Sequence, residues 1–81
     1  MQPGFHTVDL HGKSRMQAKI AVDAALRRAD GSCYRLRLIH GHNSGTEIRD
    51  LIWEEYAAHP KVKRIQSGPN PGITELVLRE L

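Results

Sequence analysis

An 81-residue chain that is 40% hydrophobic and 26% charged holds one domain with a small, two-layer core, which excludes wholesale disorder and a coiled coil. Twelve basic residues against nine acidic ones give +3 with neutral histidines, a modest excess that permits attraction to phosphate without requiring it. The single Cys33 excludes an internal disulfide and a cysteine-rich zinc site. No apolar run reaches the ~18 residues of a membrane span, and Met1-Gln2-Pro3-Gly4 has no basic segment followed by an apolar one, so a cytoplasmic setting is expected.

Phe5 to Leu10 is predicted as the first strand, closed by Gly12. Side chains alternate along a strand, so Val8-Asp9-Leu10-His11-Gly12 puts the Asp9 carboxylate and the His11 imidazole on one face at a strand end. Ser14-x-x-Gln17 is a capping box and opens helix one. From Arg15 to Ala29 the apolar Ala18, Ala21, Val22, Ala25 and Ala29 recur at helical spacing, while Lys19, Asp23 and Arg27 form a solvated charged stripe. Asp30-Gly31 is expected to stop the helix, with glycine in the left-handed conformation.

Tyr34 to His40 reads as strand two, with Tyr34, Leu36 and Leu38 on a covered face and Arg35 and Arg37 on an open one. Ser44-x-x-Glu47 predicts a second capping box. Ile48, Leu51, Ile52 and Tyr56 give helix two its apolar face as far as His59-Pro60, with Trp53 at the margin. Val62 to Gln66 and Ile73 to Leu78 are the last strands, joined by the turn formers Ser67 to Gly72. The order βαβαββ over residues 1–81 predicts an α/β two-layer sandwich: one four-stranded mixed sheet with both helices on one face. The last strand sits at an edge or between strands two and three.

Ligands collect outside the carboxyl ends of parallel strands, where Asp9 to Gly12 and His40-Gly41-His42-Asn43-Ser44-Gly45-Thr46 both fall. The helix N-termini near Ser14 and Ser44 face the same edge and favour anions. A carboxylate that orients an imidazole makes His11 a candidate general base or acid, with Asp9 as its orienter and His40 as a second proton-transfer group. Gly12, Lys13, Arg15, Gly41, His42, Asn43, Ser44, Gly45 and Arg49 are candidate phosphate contacts, joined on the open face by Arg35 and Arg37. Such a set serves phosphodiester cleavage either by activating water or by activating an RNA 2′-OH.

The same residues carry plainer readings. An Asp at a strand end caps loops, and a His beside it bonds to the backbone. Asp9, His11, His40 and His42 offer donors to a divalent metal, but nothing in their spacing defines tetrahedral geometry, so no metal ligand is assigned. Ser44 suits a cap better than a nucleophile, His6 and His59 read as structural or exposed, and Cys33 as a small buried or edge residue.

The motifs resemble those of the small MutS-related (Smr) domain family. Val8-Asp9-Leu10-His11-Gly12 is similar to the family's Leu-Asp-Leu-His-Gly, and Ile39-His40-Gly41 followed by Ser44-Gly45 to its His-Gly-x-Gly-Thr-Gly segment. His59-Pro60-x-Val62 and Gly72-Ile73-Thr74-x-Leu76-Val77 resemble the later segments. The resemblance implies a fold similar to the C-terminal domain of bacterial translation initiation factor three, and nucleic-acid binding. In several members it also implies metal-assisted or metal-independent endonuclease activity on DNA or RNA. Asp9 and His11 would be the reactive pair, and His40, Gly41, Ser44 and Gly45 the second motif. His42 and Asn43 stand where the family has a basic residue and a glycine, and Thr46-Glu47 adds a residue before Ile48. Two functions follow as expectations: an endonuclease, or a non-catalytic module for RNA, DNA or the ribosome that is targeted by itself or by a partner protein.

Overall fold

Alternation along one strand decides which side of the sheet becomes the core. In the computed structural model, which describes residues 4–41 and 45–80, Leu36 and Leu38 of β2 (Arg35–Ile39) are 1% and 0% exposed. Their neighbours Arg35 and Arg37 lie on the opposite, open face. β1 (Phe5–Asp9) pairs with β2 in parallel, Val8 opposite Leu38 and Asp9 opposite Ile39. β4 (Ile73–Val77) lies antiparallel to β2 and also to β3 (Arg64–Ser67), giving the order β1-β2-β4-β3. The last strand therefore inserts between β2 and β3, and β1, β2 and β3 all run the same way.

Two helices cover the inner face. α1 (Arg15–Arg28) buries Ala18, Val22 and Leu26, and α2 (Glu47–Tyr56) buries Leu51, Ile52 and Tyr56. They close over Leu10, Leu36, Leu38 and Leu76 in one hydrophobic cluster. Each fully buried aliphatic side chain stabilises the fold by about 1.5–3 kcal/mol, so this cluster supplies most of the cohesion available to so small a domain. Among the described residues no helix is long and apolar enough to cross a membrane.

The capping box at α1 forms as expected, Gln17 N donating to Ser14 Oγ at 3.2 Å and Ser14 N to Gln17 Oε1 at 3.0 Å. Several expectations are corrected. α1 ends at Arg28 because Ala29 turns to extended backbone (φ −66°, ψ 123°), with no left-handed glycine. Asp30 instead makes a local turn, its Oδ1 accepting from Ser32 N at 2.8 Å. The α2 N-cap is Thr46, not Ser44, and its hydroxyl donates to Asp50 Oδ2 at 2.9 Å rather than capping the backbone. α2 ends at Tyr56, ahead of His59-Pro60, where His59 N donates to Tyr56 O across a tighter turn. Val62 belongs to the following turn, its N–H donating to His59 O, and pairing in β3 starts later.

The charged stripe of α1 is not merely solvated. The Tyr56 hydroxyl, 1% exposed as a residue, donates to Asp23 Oδ1 at 2.6 Å, while Lys19 lies 3.3 Å from Asp23 and 3.6 Å from Glu55. These contacts pin the two helices together. Burial raises the Asp23 carboxyl, but hydrogen bonds from Tyr56 and Lys19 outweigh it and hold the group below its ordinary range.

Candidate functional site

β1 ends at Asp9, and the chain turns through residues 10–13, with Lys13 N donating to Leu10 O at 3.0 Å and Gly12 at φ 77°. Leu10 anchors the turn: it is fully buried, and its N–H donates to Ile39 O at 2.7 Å. Asp9 Oδ1 accepts from the main-chain N–H of His11 at 2.9 Å. The expected carboxylate–imidazole pair thus meets through the backbone, because the strand ends at Asp9 and the turn brings the amide under the carboxylate. His11, Gly12 and Lys13 are exposed.

Facing this turn is the end of β2. His40 continues the parity of Leu36 and Leu38, so its ring enters the covered side, 7% exposed. His40 N and Gly41 N both donate to Gly72 O, at 2.9 and 3.0 Å. The ring is held at both nitrogens: Nδ1 lies 2.8 Å from Gly41 O and Nε2 lies 2.9 Å from Thr74 Oγ1, which also accepts from Trp53 Nε1 at 3.3 Å. A carbonyl only accepts and an indole N–H only donates. The arrangement that satisfies every group therefore has Nδ1–H donating to Gly41 O and the Thr74 hydroxyl donating to Nε2.

Gly41 joins the two motifs. Its φ is 75°, in the left-handed region that side chains rarely adopt, and a Cβ built on it would lie 3.8 Å from His11 Cδ2. The exposed imidazole of His11 thus rests beside the buried imidazole's loop. His11 is the ring of the pair that solvent reaches.

The two helix N-termini, both expected to favour anions, differ. The first turn of α1 carries no acidic residue, whereas that of α2 carries Glu47 and Asp50, which oppose an incoming anion. Around the rim, Lys13 is exposed, Arg15 lies 4.0 Å from Glu47, and Arg49 lies 3.4 Å from Asp50 with its guanidinium 5.4 Å over the Trp53 ring. Gly45 is exposed at φ 98°. His42, Asn43 and Ser44 lie outside the described residues.

Arg35 and Arg37 are not part of this edge. They share the Glu75 carboxylate on the open face, at 3.5 and 3.0 Å, and both guanidiniums lie over the Phe5 ring, at 5.4 and 5.2 Å. Gln66 Nε2 donates to the same carboxylate at 2.7 Å. Among the described residues no three His, Cys, Asp or Glu side chains converge as a metal site. Elsewhere, Cys33 is buried, which pushes its thiol up from its ordinary value. His6 is exposed, and His59 is half-buried, its Nδ1 accepting from Lys61 N at 3.1 Å.

Three contributors escaped the sequence reading: Thr74, Trp53 and Gly72. Extending the Leu36/Leu38 alternation by two residues already points His40 inward. Thr74 as its partner becomes visible only once β4 is known to pair with β2.

The Smr domain profile matches residues 8–73 of the chain. The crystal structure of the Smr domain of Thermus thermophilus MutS2 matches with a TM-score of 0.83 and 30% identity, covering 93% of this chain and 99% of that one. No curated protein sequence matches. With most of its length matched by the profile and by that structure, this chain belongs to the Smr domain family.

Proposed function

We propose that the protein binds DNA or RNA along the edge formed by the 10–13 turn, His40-Gly41 and the start of α2, and cleaves a phosphodiester there with His11 as the proton-transfer group. The observation that carries this reading is the exposed His11 ring set against Gly41, in a turn that Asp9 holds from below. His11 takes the proton of the attacking hydroxyl, from water or an RNA 2′-OH; that oxygen bonds to phosphorus as the P–O bond to the leaving nucleoside oxygen breaks, and the leaving oxygen takes a proton from solvent. Lys13, Arg15 and Arg49 balance the charge that develops on the phosphoryl oxygens, aided by the α1 N-terminus. His40 acts by holding the loop, since both its nitrogens are engaged. The described donors do not assemble a metal cage, and no step of this scheme passes through a metal.

The test is cleavage of labelled RNA and nicking of supercoiled DNA by purified protein, with and without added magnesium. Loss of activity in His11→Ala with retained binding supports the assignment; unchanged activity removes His11 from the mechanism.

A second reading is a non-catalytic module for nucleic acid or the ribosome. It is favoured by one observation, that Asp9 engages the His11 backbone and leaves the ring without a carboxylate partner among the described residues. In that case binding persists in wild-type protein with no cleavage on any substrate.

A further inference from the structure

We propose that Thr74 and Trp53 are positioning residues for the motif edge, acting through His40 to fix the Gly41 backbone against His11. This rests on reading that edge as the nucleic-acid site. The chain of groups is continuous: Trp53 Nε1–H to Thr74 Oγ1, the Thr74 hydroxyl to His40 Nε2, and His40 Nδ1–H to Gly41 O. It draws on three elements, since Trp53 lies in α2, Thr74 in β4 and His40 at the end of β2.

The chain has an output at the surface. Its last acceptor is the carbonyl of a residue held at φ 75°, where a Cβ would stand 3.8 Å from Cδ2 of the exposed His11 ring. The same indole supports Arg49, whose guanidinium lies over the ring at 5.4 Å, so one side chain sets both the loop and a rim cation. Apolar groups of the same shape in place of every member of a buried polar chain can be nearly neutral for stability, so cohesion alone does not call for this one. Thr74 is 1% exposed, pairs with Leu38 across the β2–β4 ladder and shares a strand face with Leu76, a setting whose shape a valine would also fill. What a valine lacks is the hydroxyl that selects the Nδ1–H form of His40 and so directs the Gly41 carbonyl.

The experiment compares wild type with Thr74→Val, Thr74→Ser and Trp53→Phe, reading the His40 ring nitrogens and the Gly41 amide by ¹H–¹⁵N NMR. Affinity for a labelled single-stranded RNA and its cleavage rate are measured alongside. The expected wild-type ring is protonated at Nδ1. In Thr74→Val this preference weakens, the Gly41 amide shifts and cleavage falls about fivefold, while affinity changes less than about twofold. Thr74→Ser restores all three, and Trp53→Phe, which keeps a ring beneath Arg49, gives a smaller change of the same sign. If Thr74→Val does not fold, Trp53→Phe carries the comparison. A folded variant with an unchanged His40 ring and Gly41 amide overturns the proposal, as does a loss that serine fails to restore. If wild type binds RNA but never cleaves it, the nuclease reading fails, and the Gly41 shift in Thr74→Val, reversed in Thr74→Ser, still decides the positioning role.

Discussion

The Asp9 carboxylate and the His11 imidazole, two residues apart, are joined through the main chain: Asp9 Oδ1 accepts from His11 N at 2.9 Å. Asp9 therefore shapes the turn that presents the ring. An amide oxygen can do the same work. Asp9→Asn is expected to keep cleavage and binding within about threefold of wild type, whereas Asp9→Ala loses a charge-assisted hydrogen bond and about tenfold in cleavage rate. Steady-state cleavage of a labelled RNA distinguishes the two. A loss of several orders of magnitude in Asp9→Asn would show that the carboxylate acts on the ring.

Gly41 is held in the left-handed region, and among the described residues an added Cβ meets only His11 Cδ2, at 3.8 Å. The cost of substitution is then conformational rather than steric. Gly41→Ala should lower stability by about 1–2 kcal/mol and Tm by roughly 4–8 °C for each of those kcal/mol, with an altered His11 ring environment. Thermal unfolding followed by circular dichroism checks this; an unchanged Tm would mean the loop relaxes to another conformation at no cost.

The Asp23–Tyr56 contact makes stability depend on pH at both ends. Desolvation raises the Asp23 carboxyl, but hydrogen bonds from Tyr56 and Lys19 prevail and lower it, so its contribution is present above the unfolded value of about 3.9 and is lost as pH falls through the folded one. The Tyr56 hydroxyl is pushed up by burial first and by Asp23 second. Its contribution is complete below the unfolded value of about 10 and is lost as pH rises beyond it. Tyr56→Phe should cost about 1 kcal/mol near neutrality and less near pH 3 and pH 10.5. Urea unfolding at the three pH values tests this, and an equal cost at all three contradicts it.

Much of the framework was legible from local pattern. The Ser14/Gln17 box placed the start of α1, and the alternation of Arg35, Leu36, Arg37 and Leu38 told the covered face from the open one. Leu26, buried at 2%, was outside the stripe read from the alanines, although it follows Val22 by one helical turn. The place of β4 was open because strand pairing is a long-range choice, set by which neighbours cover Leu76 and Thr74 on one side and Glu75 on the other. The site divided the same way. Two motifs at one edge could be read from strand direction, but the buried role of His40 depends on Thr74, 34 residues away.

Rim charge should appear in the salt dependence of binding. Counterion release lowers log K with log salt at a slope of about −0.9 per neutralised phosphate on duplex DNA, or −0.7 on single strands. If Lys13, Arg15 and Arg49 each meet a phosphate, Lys13→Ala reduces the magnitude of the slope by just under 1. Arg35→Ala should leave it unchanged, because that guanidinium lies on the open sheet face with Glu75 and Phe5, away from the motif edge. A larger effect from Arg35 would move the interface to the open face.

The central claim is the location of the site, and an NMR titration of ¹⁵N-labelled protein with a short single-stranded RNA tests it most directly. The expected shifts concentrate in residues 10–13, at Gly41 and in 45–49, with Trp53 and Thr74 following. Shifts confined to Arg35, Arg37, Arg64 and Glu75 on the open sheet face, or no shifts at saturating RNA, would contradict it.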